Sequence, residues 1–419
     1  MRKLIAYAVL WLSGAGMSLP AQEVYRTEVM SGLVKSLRAR VAGEPVSSPF
    51  IELGGDRALE VSFDVLNHSQ GRYVYSIIHC NENWTKSILV PFEYMDGFQG
   101  MPIDDFAQAM TTTTHYANFR LCLPNENVRF KVSGNYVLQV CHEDAPERAV
   151  LTLRFFVYET LAGIRSSVRS NTDISFNTAY QQLGFQIDCR NMSVAYPQTD
   201  LKISVYQNNR TDNTVTGLQP SLVTDRQLTY DHIPAMIFEG GNEYRRIEFL
   251  THRYNGTGIG QIRYFNPYYH ADVMTDGSRN NRTYLYEEDL NGRFFINCSR
   301  CDAPDTEADY YIVHFTYESE RIPDGKLYLL GDFVQNRFDA NSLMEYNPQT
   351  QQYEKALLLK QGYYDYQYVF VPDGETKGTV RPAEGSYFQT ENEYTIAVYY
   401  RPMGARFDRL AGISTVKSK

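Results

Sequence analysis

The residues able to carry chemistry are few, and their spacing does not favour a reaction. Cys298-Ser299-Arg300-Cys301 is a CxxC, a pattern that serves as a redox pair or as half of a zinc site. No second CxxC and no close HxxxH completes a metal site, and no thioredoxin-like βαβ pattern surrounds it. A structural disulfide or two unpaired thiols is the expectation. Gly256-Thr257-Gly258-Ile259-Gly260 is glycine-rich, but no helical pattern follows, so the helix N-terminus that a phosphate needs is missing. It reads as a loop. Asp104-Asp105 and Glu287-Glu288-Asp289 lack the alternating spacing of a calcium loop and read as solvated charges. His79 beside Cys80, and Cys141 beside His142, would point to opposite faces of a strand, which is wrong for joint ligation. There is no GxSxG, HExxH, Walker A loop or GxGxxG after a strand. The sequence points to no catalytic residue, no cofactor and no metal, and hence to a protein that is not an enzyme.

The elements that would position any site are strands. Leu59, Val61, Phe63 and Val65 alternate with polar residues, as do Phe185 and Ile187, and Leu201, Ile203 and Val205. Leu151 to Val157 repeats the pattern, and so do Tyr364 to Phe370 and Tyr394 to Tyr400. Cys189 continues the rhythm of Phe185 and Ile187 and reads as core. Turn signals such as Gly54-Gly55-Asp56, Pro323-Asp324-Gly325 and Pro372-Asp373-Gly374 separate the runs. No long stretch carries a helical stripe. The fold class is all-β, with tandem immunoglobulin-like or early-set β-sandwich domains. Three units are expected: residues 22–160, 161–308 and 309–419, with the acidic stretch Cys301–Asp309 as the linker before the last.

Composition agrees. The chain has 419 residues, with 33 Tyr and 22 Phe, far too aromatic for a disordered protein and of the kind that pleated surfaces favour. Residues 1–21 read as a secretory signal peptide: Arg2 and Lys3, a short apolar run from Leu4 to Leu12, then small residues to Ala21. The run is too short to span a bilayer. Its loss takes the formal net charge from −9 to −11. So acidic a chain lacks the footprint of a nucleic-acid binder and would be repelled by anionic lipid.

The densest unusual stretch is residues 79–127. It holds Trp84, Phe92, Tyr94, Phe98 and Phe106, broken by Pro91, Gly97, Gly100 and Pro102. That is too aromatic for an idle loop and too interrupted for a strand. Rings on a structured loop suit a binding surface, or else they plug their own core.

Here the chain resembles a known family. His79-Cys80-Asn81-Glu82-Asn83-Trp84, then Glu93-Tyr94-Met95-Asp96-Gly97-Phe98, then Leu123-Pro124-Asn125-Glu126-Asn127 and Ser133-Gly134-Asn135-Tyr136 look like the plug protein of the Bacteroidetes type IX secretion system. The likeness is strongest over about residues 30–160. Arg401–Gly412 also fits, as do the signal peptide and three β-domains. The resemblance implies a periplasmic protein that caps the outer-membrane translocon barrel when no cargo passes. It implies a protein partner rather than lipid or nucleic acid. Trp84, Tyr94 and Phe98 are the candidate interface residues.

A second reading is a periplasmic glycan-binding protein. Lys326–Phe333 and Lys360–Tyr368 are similar to the strands of early-set, glycogen-binding modules, whose rings stack on sugars. The tryptophan expected after the first of these strands is absent, and Phe338 is the nearest ring.

Overall fold

The computed structural model describes residues 23–66 and 71–419, so the expected signal segment lies outside the described residues. The alternating runs are strands, among them Leu59–Val65, Ala145–Tyr158, Leu201–Gln207, Gly362–Pro372 and Glu393–Tyr400. The α-helices are single turns of four residues, each opened by a proline at its first or second position, where the missing N–H has no partner to lose. Among the described residues no helix is long and apolar enough to cross a membrane.

The sheets face each other in three sandwiches. In the first, Leu59–Val65 lies between Val34–Val41 and Ala117–Leu123. Opposite it, Gly134–His142 lies between Tyr73–Cys80 and Ala145–Tyr158. Leu59, Val61, Phe63 and Val65 meet Tyr136, Leu138 and Val140 in one core. Burying each such side chain stabilises by roughly 1.5–3 kcal/mol. The alternate residues along each strand of that second sheet face the other way. Val137 and Phe156 pack with Cys80 and Trp84 against Tyr206, Ala397, Tyr399 and Leu410 of the next sandwich. The second sheet is thus covered on both faces, as its aromatic-rich sequence requires.

The strand pairing redraws the expected boundaries. Glu393–Tyr400 pairs with Leu201–Gln207, and Arg409–Lys417 pairs with Glu393–Tyr400. Their side chains share a core with Leu183, Phe185, Ile187 and Cys189. The C-terminal strands therefore complete the second sandwich rather than the third. Conversely, Arg245–Phe249 and Phe294–Ile296 pair with Gly362–Pro372. They share the third core with Tyr364, Tyr366 and Tyr368. The third sandwich is an insertion into the second, and no boundary falls at residue 308. The two crossings are tied together: Asn392 Nδ2 donates to the Gly240 carbonyl (2.7 Å) and the Thr390 hydroxyl to the Gly241 carbonyl (2.9 Å).

The acidic stretch expected as a linker is instead a clamp. Arg38 pairs with Asp305 at 2.5 Å. The carboxylate of Asp309 accepts from the Thr113 amide (2.8 Å) and hydroxyl (2.6 Å). A disulfide joins the first residue of the stretch, Cys301, to Cys298.

Candidate docking surface

The four motif segments meet at one end of the first sandwich, and they meet in its interior. His79 is buried. Its Nε2 donates to the Ser133 carbonyl (3.3 Å), so Nδ1 accepts from the Ser87 hydroxyl (2.8 Å). Its ring stacks on Tyr94 and meets Tyr136 and Phe407 edge-on. Asn135 Nδ2 donates to the carbonyls of Asn81 and Glu82, both at 3.1 Å, and the Tyr399 hydroxyl donates to Asn135 Oδ1 at 2.8 Å. Asn125 Oδ1 accepts the Asn127 and Val128 amides, both at 2.9 Å, closing a turn by its own side chain. At Gly97, φ is +136° and a Cβ would sit 2.2 Å from the Asn127 carbonyl oxygen, so only glycine lets the two segments touch.

Trp84 and Tyr94 belong to this interior, 6% and 3% exposed. Trp84 packs edge-on against Phe156, and the Tyr94 hydroxyl donates to the Ile77 carbonyl at 2.8 Å. Both are candidate interface residues by sequence, and both take the other course open to such rings, plugging the core. The tertiary fold closes over them because each ring has an apolar niche and Tyr94 a carbonyl acceptor. Of the three candidate rings only Phe98 stands outside, 78% exposed.

The scaffold displays other apolar side chains outside the three candidates. Ile88 is 69% exposed and Phe92 73%, with Val90 between them. Their segment alternates inward Ser87 and Leu89 with outward Ile88 and Val90, a signal that was present but too short to stand out. The helical turn Pro91–Tyr94 is pinned on three sides. Glu93 Oε2 accepts the Val90 amide (2.9 Å), Lys131 Nζ donates to the Phe92 carbonyl (2.9 Å), and Arg406 pairs with Glu93 (2.5 Å). That last pair brings the loop carrying the exposed Met403 to the same end. Large apolar groups held rigidly in water mark an interaction surface.

Burial holds the His79 pKa down at about 4 against an ordinary 6.5, with the Ser133 carbonyl and the Asp408 charge opposing it. The unfolded chain therefore binds a proton before the folded one does. His79 costs nothing above pH 6.5, and stability falls by about 3 kcal/mol as pH drops from there to about 4. Denaturant unfolding of His79→Gln across that window should show a shallower loss than the parent. Equal slopes would refute this account.

Other sites read from the sequence are structural. A Cβ at Gly256 would lie 1.9 Å from the Glu248 carbonyl oxygen, and Gly258 has φ +71°; the glycines serve close packing. Asp289 accepts the Tyr244 and Asn291 amides at 2.5 and 2.9 Å. Asp104 and Asp105 are exposed. Tyr364, Tyr366 and Tyr368 are interior, with Tyr366 and Tyr368 donating to Asp276 at 2.7 and 2.9 Å. None of the three offers a face to a sugar.

A family model described as "Type 9 secretion system plug protein 1st domain" matches residues 34–159. Comparison with curated proteins returns no match. A crystal structure of a hypothetical protein from Parabacteroides merdae ATCC 43184 is 53% identical; the match covers 94% of this chain and 100% of that one, with a TM-score of 0.94.

Proposed function

This chain belongs to the type 9 secretion system plug family, and on that premise we propose that it seals the periplasmic end of the system's outer-membrane translocon barrel. A barrel wide enough for folded cargo would leak when idle, so its resting state needs a removable cap. The family is one of secretion-system components rather than of enzymes. The observation that carries the reading here is the apolar end of the first sandwich. Phe92 projects from a turn held by an ion pair and hydrogen bonds to backbone groups, with exposed Ile88 and Phe98 flanking it, so little entropy is lost when Phe92 docks. A few aromatic anchors inside a polar surround give an interface that closes tightly and still releases. The role is non-catalytic and periplasmic, reached by export. The partner is the barrel, with no part for lipid or nucleic acid.

Tagged protein should recover a very large barrel protein from detergent-solubilised outer membranes. Retention on a glycan column without any membrane partner would overturn the proposal.

A further inference from the structure

A cavity of about 730 Å³ lies where the three sandwiches meet, in the size range of small-ligand sites and at the domain junction where such sites concentrate. Trp84, Arg154 and Phe156 line it from the first domain, Tyr206 from the second and Phe338 from the third. Arg154 and Phe156 share a strand face because they are two residues apart. The Arg154 guanidinium lies over the Trp84 ring, 4.4 Å from its centre. Its Nε donates to the Tyr25 carbonyl at 2.7 Å, and a second nitrogen shares that acceptor. Among the described residues no carboxylate reaches it. Arg26, also on the cavity wall, is near enough to disfavour the charge on Arg154, whose pKa burial lowers to about 10.

Arg154, half-buried beside the exposed Arg26 with no acid of the described residues between them, is an incomplete arrangement, since a half-buried cation is costly without its counter-ion. The other arginines of the wall are not in this position: Arg38 pairs with Asp305, Arg40 with Glu60, Arg293 with Glu393 and Arg337 with Glu28. The acids of the wall are also accounted for. Asp212 pairs with Arg210 at 2.7 Å, Asp332 accepts from Asn336 Nδ2 at 2.5 Å, and Glu375 is exposed. The chain as a whole is acidic, at −9, so this positive spot is local.

We propose that the junction cavity binds a carboxylate borne on an aromatic or apolar body, with Arg26 and Arg154 taking the carboxylate and Trp84, Phe156 and Tyr206 the body. The planar guanidinium fork suits a carboxylate better than a point charge would. The same chemistry occurs at an acidic position of an extended peptide and in a free aromatic acid. The site uses none of the exposed side chains of the docking surface and does not depend on the capping role.

Calorimetric titration of the full chain tests it, with acetyl-Phe-Asp-Phe-amide, phenylacetate and phenylacetamide as probes and the emission of Trp84 as the reporter of place. Both acids should bind saturably and change the Trp84 emission, and the amide about tenfold more weakly or worse. Tighter binding of the peptide assigns the site to polypeptide, and equal or tighter binding of phenylacetate to a free acid. Arg26→Gln, at an exposed position that folding does not need, should weaken both acids about tenfold or more. Equal binding of amide and acid, unchanged affinity in Arg26→Gln, or no saturable heat at millimolar probe would overturn the proposal.

Discussion

Lys360→Ala should destabilise the folded chain by about 3–5 kcal/mol, the cost of leaving a buried charge without its partner. Lys360 ends the strand Gln352–Lys360 of the inserted sandwich, and its side chain is fully buried, as is that of Asp64 in the first. The ammonium donates to Asp64 Oδ2 and to the Asp305 carbonyl, both at 2.6 Å, and sits 4.1 Å over the Tyr116 ring. Asp64 is otherwise served by the Tyr310 hydroxyl (2.7 Å) and Asn118 Nδ2 (2.8 Å). Burial, and after it the nearby Arg38 charge, pulls the Lys360 pKa down, and the Asp64 carboxylate holds it up. Removing the cation leaves a carboxylate in a dry interface with two neutral donors. Removing both charges together, in Asp64→Leu with Lys360→Met, should restore most of the loss, because the expensive element is the unpaired charge rather than the missing bridge. Urea unfolding of the parent and both variants decides it. A single variant within about 1 kcal/mol of the parent would show that water or a neighbour replaces the amine.

This pair marks where the sequence stops being readable. Strand existence was plain, because Leu59, Val61, Phe63 and Val65 carry their burial in a local period. Partner choice was not. Nothing within Tyr394–Tyr400 says that its neighbour is Leu201–Gln207, and nothing in Arg245–Phe249 says that it pairs with Gly362–Pro372. Period-two patterns state which face is buried and are silent on what covers it. An insertion is therefore invisible to a left-to-right reading, which places cuts where composition changes. The acidic run to Asp309 looked like a linker for the same reason: its charges find Arg38, Thr113 and Thr114 only after the domains fold together.

The candidate site divides the same way. The segment was legible, and the surface was not. Trp84 and Tyr94 attracted notice as large rings on a broken segment, yet large rings are also what a small sandwich end needs for its interior. Polar neighbours such as Ser87 and Asn135 gave no sign of supporting that interior, because their partners His79, Asn81 and Tyr399 come from other segments of the chain. Phe92 stands among the rings of that segment without being a candidate, because the proline beside it signals a turn and not which way the ring points.

Phe92→Ala combined with Phe98→Ala is expected to weaken binding to the barrel by up to roughly a thousandfold, since buried aromatic anchors are worth about 2 kcal/mol or more each. The fold should be untouched, because both rings are in water in the free protein and exposed truncations cost little. Trp84→Ala gives the opposite pattern. It vacates a niche against Phe156 and removes the ring under Arg154, so it should cost about 3–5 kcal/mol of stability and affect binding only through that loss. The pairing of two readouts matters: affinity for purified barrel and melting temperature must move separately for surface rings and together for interior ones. Tyr264 and Phe265, exposed on the edge hairpin of the third sandwich, supply the comparison. If Tyr264→Ala with Phe265→Ala abolishes binding while the Phe92 and Phe98 variant retains it, the protein docks by its inserted domain and the first sandwich faces away from the pore. If instead the Phe92 and Phe98 variant alone fails to bind, the rigid turn at Pro91–Tyr94 is the seal, and its hold on the barrel is set by how well the Glu93–Arg406 and Lys131 contacts keep those rings in place.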